Sequence, residues 1–341
     1  MKVISNMIIA LFVLAFFHLA GAFAASDNSG SEIQSNHGAM ITNPYYATTA
    51  CKNIPGVHPT QYNVTVYLTN IWKVDLQSGT FDADFWYMVK SQDVDFTAGH
   101  LPPVGFSNGI IHDYSQEYVD KHYYEVNVYG TFFTNMDFHQ YPFEKLTLPI
   151  VVEPLTPCYT NTTVFIPDSS SFGVDPKATV SGWNISGQKQ TVTEYLYPGV
   201  SSGFARYVAT FETSHPTMNS FIKTIMPITL ITSLALLIFW IPENFTPRIY
   251  LTAPLLLALV SLHINTLKEL PSLSYLTIFD KVMVIDYALF ANAIVSLAIQ
   301  MRLHKNHGDD VIVKKANRIG RFMIPVIIAV LGFILFVINN N

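Results

Sequence analysis

The sequence predicts a β-sandwich extracellular domain followed by a four-helix transmembrane bundle. Short segments that alternate apolar and polar residues occur in residues 26–216, and four apolar runs lie in residues 217–341. Charged residues make up 13% of the 341 residues, about half of the ~25% that is typical of soluble domains. These observations together indicate an outer β-rich domain joined to a membrane domain.

Residues 1–25 are predicted to form a secretory signal peptide. Lys2 gives the basic start, residues 7–17 give the apolar core, and Ala22–Ala24 form an A-x-A cleavage site. The apolar core is shorter than the ~20 residues that a membrane span needs, although an uncleaved anchor is the alternative. Cleavage would place residues 26–216 outside the cytoplasm.

Four segments of the outer block alternate apolar and polar side chains, which is the pattern of half-buried β-strands. They are Tyr62–Thr69, Phe81–Trp86, Tyr124–Tyr129 and Arg206–Phe211. Residues Gln77–Gly79 supply a turn between the first two segments. Several short strands at this spacing predict a sandwich.

The two cysteines, Cys51 and Cys158, both lie in the outer block. We expect them to form a disulfide in an oxidising compartment, and two buried thiols are the alternative. No Cys/His spacing resembles a zinc site, and no catalytic or phosphate-binding motif occurs. We therefore expect no enzyme activity, no metal, no cofactor and no nucleic-acid partner.

Four membrane spans are predicted at residues 225–241, 249–267, 282–301 and 322–338. The linker after the third span is basic, which marks the cytoplasmic side; it carries Arg302, Lys305, Lys314, Lys315, Arg318 and Arg321. If the amino terminus lies outside, the first three crossings place this linker in the cytoplasm, in agreement with its charge, and the fourth places the carboxyl terminus outside. The prediction is a multi-pass protein of the plasma membrane with both termini extracytoplasmic.

The second span differs from a simple membrane anchor because it contains many polar residues. Tyr250, Thr252, Ser261, His263 and Asn265 interrupt an otherwise aliphatic stretch. Polar groups at bilayer depth are costly unless they face protein or water. A helix that lines an aqueous path would satisfy them, so a channel or transporter is the first hypothesis.

The segment Asp137–Leu148 resembles the signature loop of pentameric ligand-gated ion channels, the Cys-loop receptor superfamily. It has an aspartate, then the aromatic-Pro-Phe-acid motif Tyr141–Glu144, then a hydrophobic strand. The flanking cysteines are absent, as in prokaryotic members. Further matches, which together cover roughly residues 60 to 338, are Phe239-Trp240, Leu270-Pro271 followed by Tyr275, and Ala316–Ile319 followed by Pro325.

The resemblance implies a homopentamer in which the second span lines a pore for inorganic ions. Helical spacing then places one face toward the lumen: Tyr250, Pro254, Leu257, Ser261, Ile264, Asn265 and Lys268. Leu257 is the expected hydrophobic gate, with ordinary helix packing as the alternative. A non-conducting membrane receptor or sensor is the competing function.

Ion selectivity is less clearly indicated. Residues 26–216 carry 18 Asp and Glu against 8 Lys and Arg, a surplus that would concentrate cations above the pore. Pro247-Arg248 instead resembles the start of the pore helix in anion-selective members. We expect cations to be slightly favoured, with an anion channel as the alternative.

The resemblance also implies a ligand site and a set of coupling residues. Tyr195, Tyr197 and Phe204 form part of an aromatic cage for an ammonium ligand, or pack only as a hairpin surface; Leu155, where amine-binding members carry tryptophan, weakens the first interpretation. The agonist is an unknown small molecule or protons. The expected gating and coupling residues are Asp75, Asp137, Tyr141, Pro142, Phe143, His215, Pro271 and Tyr275.

A pH effect on gating is a further expectation. Asp75 resembles a family aspartate whose usual arginine partner is missing from residues 212–216, where His215 lies instead. Protonated His139 and His215 would place positive charge opposite Asp75, Asp137 and Glu144. Nearby carboxylates would raise the pKa of these histidines, so gating should depend on pH between about 5 and 7.5.

Overall fold

The computed structural model describes residues 59–99, 104–154, 163–180, 182–197, 203–241, 245–307, 314–315 and 318. The predicted signal peptide, the predicted Cys51–Cys158 disulfide, Leu155 and the predicted fourth span 322–338 lie outside these residues. The described part of the chain contains two β-sheets and three long helices.

Ten β-strands precede the helices. They are β1 Thr60–Asp75, β2 Thr80–Lys90, β3 Val104–Phe106, β4 Gly109–Asp120, β5 Tyr123–Phe133, β6 Lys145–Pro154, β7 Thr163–Pro167, β8 Gly173–Val174, β9 Asn184–Tyr195 and β10 Phe204–Ser214. The larger sheet has the order β4-β5-β2-β1-β7, with β8 also paired to β1, and the smaller sheet has the order β3-β6-β10-β9.

The strands form where the sequence alternates. In β1, Val64, Val66 and Leu68 are fully buried, and the antiparallel neighbour β2 buries Phe81 and Phe85 in the same way. All four strand segments predicted from alternation lie inside observed strands. Alternation succeeds here because each sheet buries one face and leaves the other in contact with water.

The buried faces of the two sheets contact each other through aromatic rings. Phe106 of the smaller sheet lies 5.5 Å from Phe85, 5.7 Å from Tyr87 and 6.1 Å from Phe132 of the larger sheet, measured between ring centroids. Edge-to-face contacts of this kind add to the free energy of apolar burial. The arrangement is compatible with a β-sandwich.

The antiparallel pairing of β6 with β10 positions four ionisable side chains. Its register runs from Tyr207 opposite Val152 to Ser214 opposite Lys145. One step beyond the first end, Arg206 stands opposite Glu153. One step beyond the other end, His215 stands opposite Glu144. The ladder therefore carries an acid–base pair at each end.

Three helices follow: α1 Met226–Leu237, α2 Phe245–Leu267 and α3 Ile278–His307. An α-helical turn, Thr217–Ser220, and a π-helical segment, Phe221–Ile225, lead into α1, and a 3-10 turn, Ile238–Trp240, follows it. The segments Thr217–Leu237, Arg248–Leu267 and Ile278–Arg302 are long and apolar enough to cross a membrane.

The predicted spans 225–241, 249–267 and 282–301 locate these helices but begin too late. Helical structure starts at Thr217, Phe245 and Ile278. The predictions followed the apolar runs, which polar residues such as Thr217 and Asp280 interrupt, although these residues belong to the helices. Pro254 lies inside α2 without ending it. Lys268, predicted on the pore helix, lies one residue beyond its end.

Polar contacts join the helices at their buried faces. The Thr232 hydroxyl of α1 donates to Asp286 Oδ1 of α3 over 2.8 Å, and His263 Nδ1 of α2 lies 2.9 Å from the Tyr287 hydroxyl of α3. Around them pack Leu259, Phe279, Met283, Phe290 and Ala293, all buried. These contacts fix the rotation of α2 against its neighbours.

Candidate functional site

The signature loop touches the start of α3 directly. The backbone N–H of Ile278 donates to the carbonyl of His139 over 3.1 Å, and that of Phe279 donates to the carbonyl of Tyr141 over 3.2 Å. The first N–H groups of a helix have no partner within the helix, so loop carbonyls supply it here. A movement of the loop therefore acts on the end of α3.

The linker between α2 and α3 packs on the same loop. The Tyr275 ring stacks on the His139 ring with centroids 3.8 Å apart and planes inclined by 4°. The Tyr275 hydroxyl also accepts a hydrogen bond from the Phe138 N–H over 3.0 Å. Tyr275, predicted as a coupling residue, is thus in contact with the loop, whereas the nearby predicted residue Pro271 is only partly buried.

Asp137 organises the exposed part of the loop. Its Oδ1 accepts from the backbone N–H of His139 over 2.9 Å and lies 2.6 Å from His139 Nδ1. These bonds lower the pKa of the Asp137 carboxyl, with the backbone N–H contributing most. Asp137 therefore stays ionised and holds His139 against Tyr275.

Tyr141 and Pro142 are buried on the inner side of the loop, and Phe143 is half-buried. The Tyr141 ring meets Phe279 edge-to-face at 6.0 Å. Thr277 and Asp280 cap α3 reciprocally: the Thr277 N–H donates to Asp280 Oδ2 over 2.9 Å, and the Asp280 N–H donates to Thr277 Oγ1 over 3.1 Å. The contact between loop and helix is therefore both apolar and hydrogen-bonded.

Glu144 and His215 form the acid–base pair beside this contact. His215 Nε2 lies 3.7 Å from Glu144 Oε1, and the Glu144 side chain is 0% exposed. Among the described residues neither carboxyl oxygen has a hydrogen-bond partner. Burial raises the pKa of Glu144, because a charged carboxylate without partners is poorly solvated there.

The environment of His215 fixes its tautomer. His215 Nδ1 lies 2.7 Å from the Gly182 carbonyl, which can only accept, so Nδ1 carries a proton and Nε2 faces Glu144. The ring also stacks on Trp183 with centroids 3.6 Å apart. Burial lowers the pKa of His215 more than the Gly182 carbonyl raises it, and Lys223 lowers it further.

These contacts correct two expectations about charge. Asp75 does not face His215: its carboxylate lies 2.8 Å from Lys73 Nζ and accepts from the N–H groups of Gln77 and Ser78. The pKa of His215 is lowered rather than raised, because burial lowers it more than the hydrogen bond to the Gly182 carbonyl raises it. Of the expected carboxylates Asp75, Asp137 and Glu144, it is Glu144 that lies beside His215, because Glu144 precedes β6 and His215 follows β10 at the paired ends of these strands.

Within one copy of the chain, one face of α2 is exposed and the opposite face is buried. All seven residues predicted to line a pore are exposed: Tyr250, Pro254, Leu257, Ser261, Ile264, Asn265 and Lys268. Tyr250 is 75% exposed and Leu257 67%. Thr252, Leu259 and Thr266, seven residues apart, are buried on the opposite face. The packing of α1 and α3 thus leaves the predicted face uncovered.

Arg248 lies on the buried side of α2. Its side chain is 0% exposed, and its NH1 donates to Gln300 Oε1 of α3 over 2.9 Å. NH2 donates to the Ile241 carbonyl. The guanidinium that resembles the start of an anion-selective pore helix is therefore turned into the bundle and away from the exposed face.

Tyr195, Tyr197 and Phe204, the residues of the predicted aromatic cage, contact one another at the β9–β10 hairpin. Tyr197 meets Tyr195 at 4.7 Å and Phe204 at 4.9 Å between ring centroids, both edge-to-face. The sequence analysis missed the two charged members of this cluster, Arg206 and Glu153. Arg206 lies over the Tyr195 ring, and its Nε donates to Glu153. Glu153 and Arg206 lie near the paired ends of β6 and β10. Their proximity follows only once the register between these two strands is known.

The chain matches no protein-family model and no curated protein. Three of its helices are long and apolar enough to cross a membrane, and hydrogen bonds join the loop between β5 and β6 to the start of the third of them. Within the described ranges, no group of three or more His, Cys, Asp and Glu side chains is placed to hold a metal ion. The class that follows is a β-rich protein associated with a membrane.

Proposed function

We propose that the chain is the subunit of a homopentameric ligand-gated ion channel. Ligand or proton binding to the β-sheets opens a pore that α2 lines in the centre of five copies. The observation that carries this proposal is the uncovered face of α2. Every side chain that helical spacing assigns to the lumen is exposed, while Leu259 and Thr266 on the other face are packed.

The chemistry of the uncovered face favours water over lipid. Ser261, Asn265 and Lys268 are polar or charged, and such groups are unfavourable against hydrocarbon. Symmetric association around an axis would bring five such faces to one aqueous lumen. Leu257 lies one helical turn before Ser261 on the same face, where a ring of leucines would form a gate that blocks ions by dewetting.

The sheet–helix contact offers a route from ligand to pore. The loop that follows β5 touches both Tyr275 of the α2–α3 linker and the first turn of α3. The carboxyl end of α2 precedes this linker directly. A ligand that shifts the sheets would therefore move the outer end of α2 through Tyr275 and Phe279.

We further propose that the pore slightly favours cations over anions. The outer block is acidic, with 18 Asp and Glu against 8 Lys and Arg over residues 26–216. The Arg248 guanidinium, the feature that favoured anions, is buried in the helix bundle. Lys268 at the outer end of the face is the remaining positive charge that supports the anion-selective alternative.

A plasma-membrane location with both termini extracytoplasmic belongs to the same proposal. It requires the predicted fourth span at residues 322–338. A non-conducting receptor or sensor is the alternative function, favoured only if the chain does not assemble around a lumen.

Two measurements test the proposal. Native mass spectrometry of the purified protein in detergent should show a pentamer. Currents in planar bilayers should then appear, and substitution of the cation should shift the reversal potential more than substitution of the anion. Leu257→Thr should raise the basal current, whereas the control Leu251→Thr, outside the predicted pore face, should not. A monomer without current would refute the channel.

A further inference from the structure

His263 of α2 and Asp280 of α3 face each other across a short gap. His263 Nε2 lies 3.5 Å from Asp280 Oδ1, which is longer than the about 2.7–3.2 Å of an ordinary N–H···O hydrogen bond. Nε2 is buried and has no hydrogen-bond partner among the described residues. Buried polar atoms almost always have a partner, so this nitrogen marks a place where one fits.

Hydrogen bonds hold the other polar atom of each side chain. His263 Nδ1 lies 2.9 Å from the Tyr287 hydroxyl. Asp280 Oδ2 accepts from the Thr277 N–H over 2.9 Å and from the Thr277 hydroxyl over 2.8 Å. Histidines and carboxylates that bind metals are fixed in this way by partners on the side away from the metal. Both side chains are therefore oriented with one free atom toward the gap.

The width of the gap fits two ligands of one zinc ion. Zinc binds a histidine nitrogen at about 2.0–2.1 Å and a carboxylate oxygen at about 2.0–2.2 Å. Two such ligands of a tetrahedral ion lie about 3.3–3.5 Å apart. A shared proton would draw the pair closer, as in the loop pair His139–Asp137, where Nδ1 and Oδ1 are 2.6 Å apart. The geometry thus fits a bridging metal ion better than a proton.

We propose that His263 and Asp280 bind a zinc ion that bridges α2 and α3. When Nδ1 donates its proton to the Tyr287 oxygen, Nε2 presents a lone pair to the metal. Asp280 Oδ1 supplies a negative charge, and water molecules complete the coordination. Imidazole nitrogen and carboxylate oxygen are both ordinary zinc ligands. The site lies within one chain and does not rest on the proposed function.

The pair is reachable from water at the helix ends that face the signature loop. His263 lies near the carboxyl end of α2, and Asp280 lies in the first turn of α3. Their side chains are 20% and 15% exposed. The same turn of α3 is hydrogen-bonded to the loop through the Phe279 N–H. A bound ion would therefore join α2 to the anchored end of α3 and restrict movement between the two helices.

The test is isothermal titration calorimetry of zinc chloride into the purified full-length protein in detergent. His263→Ala removes one ligand, and Asp280→Asn removes the charge of the other but keeps an oxygen for the Thr277 cap. Zinc should bind both variants at least tenfold more weakly than the wild type. Tyr287→Phe leaves both ligands but not their support, and the affinity should fall about 10- to 100-fold. His139→Ala, which removes the histidine of a directly hydrogen-bonded pair, is the matched control and should bind as the wild type.

Equal zinc binding by the wild type and both ligand variants would assign the ion to other side chains and overturn the proposal. No binding by the wild type at millimolar zinc would overturn it as well. Should His263→Ala not fold, Asp280→Asn decides the matter by a second measurement. Zinc should raise the thermal unfolding midpoint of the wild type, because an ion that binds only the folded protein stabilises it; an equal rise in Asp280→Asn would refute the bridge. Neither measurement uses a current, so a protein that binds zinc but does not conduct refutes only the channel.

Discussion

Each end of the β6–β10 ladder carries a buried glutamate beside a basic side chain, but the two glutamates differ in their hydrogen bonding. At one end Glu153 accepts hydrogen bonds from Arg206 and Tyr197. At the other end, near the helices, Glu144 has no hydrogen-bond partner among the described residues and faces His215 across 3.7 Å. Both glutamates are buried. The difference lies in the base, since arginine is permanently charged and histidine is not.

We call the Arg206–Glu153 pair the fixed end, because arginine is permanently charged, and the His215–Glu144 pair the titratable end. Hydrogen bonds from Arg206 Nε and from the Tyr197 hydroxyl to Glu153 hold the hairpin end in one arrangement. Burial favours the neutral forms of both Glu144 and His215. The end near the helices therefore contains no permanently charged group, and its charge can change with pH.

The largest effect should come from breaking the fixed pair. Arg206→Ala leaves the buried carboxylate of Glu153 without its cation, and loss of one partner from a buried pair costs about 3–5 kcal/mol. We expect the thermal unfolding midpoint, followed by circular dichroism, to fall clearly. Lys73→Ala, which breaks the exposed pair with Asp75, is the control and should leave the midpoint unchanged. Equal effects of both variants would contradict the distinction.

Asp286 of α3 is a third buried carboxyl, and among the described residues only one of its two oxygens accepts a hydrogen bond. Its Oδ1 accepts from Thr232, whereas its buried Oδ2 has no partner in the described ranges. Thr232→Val removes that single bond and should cost about 1–3 kcal/mol, measured as a lower unfolding midpoint in detergent. Adding Asp286→Leu should recover much of the loss, since both polar partners are then gone. No recovery would show that the bond is not the cause.

A smaller effect is expected at the stack that holds the signature loop. Tyr275→Phe keeps the ring against His139 but leaves the Phe138 N–H without its acceptor. The cost of one such bond is about 0.5–1.5 kcal/mol. The unfolding midpoint should fall slightly, while the agonist concentration for half-maximal current should change more. Tyr123→Phe, which removes a hydroxyl that donates to Glu125 at the end of β5 away from the loop, provides the comparison, and an identical response of both variants would exclude a coupling role for Tyr275.

The smallest effect is the pH dependence of the titratable end, because its two members act in opposite directions. The raised pKa of Glu144 makes stability fall as pH rises above 4.5, its ordinary value. The lowered pKa of His215 makes stability fall as pH drops below 6.5, its ordinary value. The slope of the wild-type unfolding midpoint between these values should therefore lie between the slopes of the two single variants described next.

Single substitutions should reveal the two opposite slopes. In His215→Gln only the Glu144 contribution remains, so the midpoint should fall as pH rises. In Glu144→Gln the midpoint should fall as pH drops. His139→Gln removes an exposed histidine of the loop and is the control. Slopes of the same sign in the first two variants would defeat the assignment of the pair.

Local patterns made several parts of the fold predictable. Alternation located β1, β2, β5 and β10, and helical spacing selected a face of α2 that is exposed throughout. Features that depend on pairing between distant segments were not accessible in the same way. The partners of Glu153 and Glu144 follow from the register of β6 against β10, which no local pattern encodes. The helix starts at Thr217 and Ile278 were missed because polar residues such as Thr217, Asn219 and Asp280 interrupt the apolar pattern there.

Thiol modification shows whether the exposed face of α2 lines an ion-conducting pore. Leu257→Cys and Leu259→Cys place a thiol on the exposed and the buried face of the same helix. We expect a charged, water-soluble methanethiosulfonate reagent to change the bilayer current through Leu257→Cys and to leave Leu259→Cys and the wild type unaffected. A current that responds in Leu259→Cys but not in Leu257→Cys would contradict it.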